Sequence, residues 1–156
     1  MGVTARDIME TRFRSLLPTM TVAEAVLAFE NASRTLGRRV FGMMVIDEDG
    51  ELVGMISMYD ILVLMRPKHI HIWGEMKDID VTGFIRQNLQ RAKQIQVGDL
   101  MSTDIITITP ETHLLSIVDI MLRKHVRRLP VLDRGKVVGI VHISNVFFYL
   151  MEQLVH

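Results

Sequence analysis

The chain contains no cysteine. Structural disulfides, thiolate catalysis and cysteine-type zinc sites are therefore excluded. It also lacks an excess of either charge, with 18 basic and 18 acidic residues and a formal net charge of zero. A general electrostatic grip on DNA or RNA needs a basic excess on one face, and single-strand binding adds stacking aromatics. One Trp, two Tyr and six Phe without a basic stripe argue against nucleic acid. Long apolar runs are missing too. The longest, Leu52 to Met65, is broken by Gly54, Ser57, Tyr59 and Asp60 and is too short to span a bilayer. The opening residues, Met1-Gly2-Val3-Thr4-Ala5-Arg6-Asp7, lack the apolar core of a signal peptide. The expectation is a soluble, cytoplasmic protein with no membrane or nucleic-acid partner. No nucleophile elbow, His-Glu-x-x-His motif or Walker loop is present. A small metal-dependent hydrolase using the six histidines is the enzymatic alternative, and it requires histidines converging with carboxylates in a pocket.

What is present is apolar. Hydrophobic residues make up 49% of the 156, and mean hydropathy is +0.26. That rules out disorder and leaves apolar surface to spare for oligomerisation. The length suits one compact domain or two very small ones.

The chain also says the same thing twice. Asp7-Ile8-Met9 returns as Asp99-Leu100-Met101 and Pro18 as Pro110, both 92 positions later. Val45-Ile46-Asp47 returns as Val131-Leu132-Asp133, and Gly54 as Gly139, at offsets of 86 and 85. Two copies do not make a solenoid; they suggest two similar halves. Each half alone buries little apolar surface, so the halves are expected to share a core.

In the first copy, Thr21-Val22-Ala23-Glu24 reads as a capping box. Val22, Ala25, Val26 and Phe29 continue as an amphipathic stripe on a helix that runs to about Leu36 and stops at Gly37. Val40 to Ile46 is an apolar run of strand length. Asp47-Glu48-Asp49-Gly50 is a hairpin turn, Leu52 to Ile56 the return strand, and Ser57 to Met65 a second helix ended by Pro67. The second copy repeats the order. Ile105 to Ile108 is a short extended piece before a helix marked by Leu114, Ile117, Val118, Met121 and Leu122. Val126 to Leu132 is a strand, Asp133-Arg134-Gly135 a turn, Val137 to Val141 the return strand, and Ser144 to Leu154 the last helix. The fold class is α/β (α+β): two pseudo-symmetric β-α-β-β-α repeats packed as one module. The expected divisions are repeat 1 over 1–67, a partly helical insert over 68–94, and repeat 2 over 95–156. The insert carries His69, His71 and Trp73, which read as a linker or interface patch, since two histidines without further ligands do not support a metal site. It then carries a helix from about Val81 to Lys93.

These motifs resemble the CBS domain family, whose members occur in tandem as a Bateman module. The matching residues are Asp7-Ile8-Met9 with Pro18, Val45-Ile46-Asp47, Gly50 and Gly54-Met55-Ile56-Ser57-Met58-Tyr59-Asp60. In the second copy they are Asp99-Leu100-Met101, Thr109-Pro110, Arg127 to Asp133, Gly135 and Gly139. The resemblance implies a regulatory ligand-binding module with no catalytic residues and no catalytic cofactor. AMP, ADP, ATP or S-adenosylmethionine would bind in clefts between the repeats. The output would be a change in homodimer assembly or in the fit to an effector protein. A dimerisation scaffold that binds no ligand is the alternative.

The resemblance also implies site residues. The family signature, Gly-h-x-Thr/Ser-x-x-Asp, places a ribose-binding carboxylate and a phosphate-facing hydroxyl at a strand-to-helix junction. The first copy fits with Ser57 and Asp60, a pair that also reads as a helix cap. The second copy departs: His142 replaces Thr/Ser and Asn145 replaces Asp. Asn lacks the charge, and one end of its amide is a donor. His142 is either a phosphate contact or a half-buried strand residue. The base pocket would be lined by Arg14, Ser15, Met43 and Met44 in the first site, and by Ile106, Thr107, Leu129 and Pro130 in the second. Met43 and Met44 read equally as core. Arg127 and Arg128 are placed to reach phosphate, since guanidinium forks match phosphate oxygens. Arg38, Arg39, Lys124 and His125 lie nearby in this reading. The first cleft is the expected nucleotide site.

Overall fold

The structure, a computed structural model, describes residues 2–64, 66 and 81–155. His69, His71 and Trp73 lie outside the described residues, as do Met65 and Pro67. In chain order the elements are α1 (Ala5–Ile8), β1 (Ser15–Leu16), α2 (Val22–Leu36), β2 (Gly42–Ile46), β3 (Leu52–Ser57), α3 (Met58–Leu64), α4 (Val81–Ala92), α5 (Val97–Leu100), α6 (Leu114–Lys124), β4 (Arg128–Asp133), β5 (Lys136–His142) and α7 (Ile143–Val155).

They form two compact units. The first-repeat unit holds Arg14–Asp47 and Val53–Thr103, and the second-repeat unit holds Met1–Phe13, Glu48–Leu52 and Asp104–His156. The α1 segment therefore joins the second repeat, while α5 joins the first.

In the first-repeat unit the sheet order is β1-β2-β3, with β1 parallel to β2. Helix α2 opens on the expected box. The Thr21 hydroxyl accepts from the Glu24 N–H at 3.1 Å, and the Glu24 carboxylate accepts from the Thr21 N–H at 3.3 Å. Gly37, with φ of 68°, closes the helix in the left-handed conformation that glycine adopts without a Cβ clash. The buried face is Val22, Ala25, Phe29 and Ala32; Val26 is exposed. The two alanines narrow the covered strip, and Val26 falls on its flank. Strand β2 starts later than expected because the Val40 N–H donates to the Ser33 hydroxyl on α2, at 2.8 Å, before strand pairing begins. Leu16, Ala25, Phe29, Ala32, Met43, Val45, Ile56 and Val97 form this unit's core.

In the second-repeat unit β4 and β5 pair antiparallel, with Arg128 opposite His142. Ile105 to Ile108 forms no strand of its own. Ile108 makes a single parallel bridge to Val131, donating to the Pro130 carbonyl at 3.0 Å and accepting from the Leu132 N–H at 2.8 Å. Strand β4 begins at Arg128 because the chain first finishes α6. His125 takes the left-handed conformation with φ of 54°, and the Val126 N–H donates back to the Met121 carbonyl at 3.2 Å. Ala5, Ile108, Leu114, Ile117, Met121, Leu129, Val131, Val141 and Val146 form the core.

Instead of the expected shared core, the described residues form two separate clusters, each completed by a segment that the repeat boundaries assign elsewhere: Ala5 serves the second-repeat core and Val97 the first. The exchange is symmetric in detail. Ser102 pairs its backbone with Met55, at 2.8 and 2.9 Å, and Glu10 pairs with Ile140, at 2.8 and 3.0 Å. The recurrence of the Asp-h-Met and glycine motifs in both copies now has a physical cause. The Met101 sulfur lies where a Cβ on Gly54 would sit, and the Met9 sulfur lies 2.8 Å from where a Cβ on Gly139 would be. A side chain at either position would displace the docked methionine.

Candidate functional site

Both strand-to-helix junctions are built alike. The chain leaves β3 at Ser57 and enters α3 at Met58, whose N–H donates to the Phe41 carbonyl at 2.7 Å just before β2. It leaves β5 at His142 and enters α7 at Ile143, whose N–H donates to the Arg127 carbonyl at 2.8 Å just before β4. The junction side chains are thereby held at the sheet end where the paired strands start.

In the first-repeat unit the Ser57 N–H and hydroxyl both donate to Asp60 Oδ2, at 2.8 and 3.1 Å, and the Ser57 hydroxyl faces the Asp60 N–H at 3.4 Å. This is the helix cap read from the sequence. It uses one carboxylate oxygen. Asp60 Oδ1 is bonded by no described residue, and the side chain is half-buried. The hydroxyl hydrogen of Ser57 is given to Asp60, so Ser57 meets anything else as an acceptor. Ser15 stands opposite Met44 in the β1–β2 register, which puts the start of β1 at the same sheet end. Met43 and Met44 are both buried, and Met43 belongs to the core cluster. Arg14 is exposed, and its guanidinium donates to the Thr35 hydroxyl on α2 at 3.1 Å.

The second-repeat unit differs at the side chains. The Asn145 Oδ1 accepts from the His142 N–H at 2.8 Å, which reproduces the cap. Its Nδ2 donates to Glu10 Oε1 at 3.2 Å. His142 Nε2 lies 3.4 Å from Glu10 Oε2, with the two side chains 22% and 30% exposed. Leu129 and Pro130 are fully buried, Ile106 packs against the core, and Thr107 is exposed. Arg128 is half-buried on β4 and makes interactions within the chain, while Arg127 is exposed at the strand entrance. Arg38, Arg39 and Lys124 are also exposed.

The structure therefore gathers Ser15, Met44, Ser57 and Asp60 at one sheet end of the first-repeat unit. It gathers Arg127, Arg128, His142 and Asn145 at the matching end of the second. Sequence reasoning missed Glu10. The two copies differ at this position, with Glu10 after Asp-h-Met in one and Ser102 in the other, but that difference alone does not mark a site.

A sequence profile of the CBS domain matches residues 5–67 and 97–152. The chain belongs to the CBS domain family. Among the CBS proteins similar to it is CBSX1, chloroplastic, of Arabidopsis thaliana, 35% identical over 143 residues that cover 83% of this chain and 55% of that protein. CBSX2, chloroplastic, of the same plant is 30% identical over 154 residues, which are 93% of this chain and 62% of that protein. The chain thus spans little more than half the length of these two CBS relatives. A CBSX2 crystal structure superposes with a TM-score of 0.77 at 26% identity, covering 100% of this chain and 99% of that one. A second, of CBSX2 in complex with AMP, gives 0.72 at 26% identity, covering 97% and 98%. The CBS relatives include chloroplastic and mitochondrial proteins. No helix among the described residues is long and apolar enough to cross a membrane.

Proposed function

We propose that this chain is a regulatory module that binds an adenine nucleotide at the first-repeat site, through Asp60. The carrying observation is the half-engaged carboxylate: one oxygen of Asp60 caps α3, and the other is bonded by no described residue. An ionised carboxylate is acceptor-only, so it suits the donor hydroxyls of a ribose diol. The AMP complex of CBSX2 supports the ligand class. S-adenosylmethionine is the second candidate, because it offers the same ribose and adenine.

In this reading Asp60 holds the ribose, and Ser15 and Met44 border the base. The module has no catalytic task. Its output is a change of homodimer assembly or of fit to an effector protein. Exposed apolar residues on α7 (Ile143, Phe147, Phe148, Leu154 and Val155) support a homodimer. A ligand-free scaffold is the competing reading.

The test is thermal unfolding with AMP, ADP, ATP, S-adenosylmethionine and NAD in turn. A ligand at about 100 times its Kd stabilises by roughly 2.7 kcal/mol. An upward shift with AMP that is clearly smaller in Asp60→Asn is the expected result. No shift with any of the five would leave the scaffold as the reading.

A further inference from the structure

The two junctions share a backbone plan and differ in what the exchanged segment brings to them. In the first-repeat unit that segment presents Ser102, whose backbone pairs with Met55. In the second it presents Glu10, whose backbone pairs with Ile140 in the corresponding way. Resting on the reading of Asp60 as a ribose site, we infer that Glu10 closes the corresponding site of the second-repeat unit to ligand.

The argument is one of donors and acceptors. A ribose diol offers two hydroxyl donors and needs acceptors facing it. Asn145 has one acceptor atom, Oδ1, and the His142 N–H already bonds it at 2.8 Å. Its donor end points to Glu10 Oε1 at 3.2 Å. The other Glu10 oxygen faces His142 Nε2 at 3.4 Å. Glu10 thus satisfies, from within the chain, the polar ends that a nucleotide would have to engage. The reciprocal hydrogen bonds to Ile140, 2.8 and 3.0 Å, hold its backbone in place. A half-buried carboxylate here also repels phosphate at short range. The His142 and Asn145 replacements and the Glu10 carboxylate form one set, as Ser57, Asp60 and Ser102 form the other.

The test is the number of AMP molecules bound per chain, by isothermal titration calorimetry. Glu10→Ser installs the residue that the other copy carries at this position. Wild type is expected to bind one AMP and Glu10→Ser two, with the second event surviving in Glu10→Ser/Asp60→Asn. Glu10→Ala keeps the backbone pairing and removes both acceptor oxygens. It is expected to reveal the second event too, and it decides the matter if Glu10→Ser does not fold. Two AMP bound by wild type, or no increase over wild type in folded Glu10 variants, would overturn the inference. Loss of the wild-type event in Asp60→Asn tests the other reading separately. If wild type binds none and Glu10→Ser binds one, the Asp60 reading fails while the closure by Glu10 stands.

Discussion

At the scale of single residues, the two junctions form a natural comparison. Asn145 shows that an amide oxygen caps this type of junction as well as a carboxylate does, since both accept the first N–H at 2.8 Å. Asp60→Asn should therefore leave the fold intact and remove only the charge. We expect AMP to bind about 10- to 100-fold more weakly to Asp60→Asn, the size of one lost hydrogen bond to a charged group. The melting temperature without ligand should stay within a few degrees of wild type. Asn145→Ala should change AMP affinity less than threefold, roughly half a kcal/mol. A greater loss in Asn145→Ala than in Asp60→Asn, measured by calorimetry, would place the nucleotide in the other unit.

At the scale of elements, capping and close approach carry testable energy. Thr21→Ala removes the hydroxyl that accepts from the Glu24 N–H, keeps the backbone N–H that donates to the Glu24 carboxylate, and should cost about 1 kcal/mol in urea unfolding. Gly139→Ala puts a Cβ 2.8 Å from the Met9 sulfur and 3.0 Å from the Glu10 carbonyl oxygen. The backbone cannot yield as a side-chain tip can, so the loss should be about 1–3 kcal/mol. The helices and hairpins were legible in the sequence because their signals are local: a capping box at Thr21, a glycine at Gly37, a turn at Gly50. The Ser57–Asp60 pair was legible for the same reason. Strands expected from Val40 and Val126 start at Gly42 and Arg128. There the Ser33 hydroxyl and the His125 conformation hold the chain first, and no periodicity reports that. Glu10 was not legible as a site residue, because its partners lie more than 130 positions away across a segment exchange that sequence spacing does not reveal.

At the scale of the whole molecule, the surplus of apolar surface gathers on helices. On α7, Phe147 and Phe148 meet edge to face with ring centroids 5.3 Å apart, and both are exposed. Phe148→Asp should shift a homodimer toward the 17.9 kDa monomer in light scattering, and an unchanged mass would remove α7 from the interface. Removing residues 1–13 should loosen the second-repeat unit and spare the first. Hydrogen exchange would show this as lost protection in β5 and α7, with α2 and β2 unchanged. The exchange of segments also bears on the order in which the chain can be completed during synthesis. Met101 leaves the ribosome soon after Gly54 and can dock at once. Met9 is made long before Gly139, so its berth does not exist until well after it has left the ribosome. Non-local pairing of this kind is slow, and apolar surface left waiting is prone to stray association. Ala5, Ile8 and Met9 are made well before their partners, and until then they need shelter on the nascent chain.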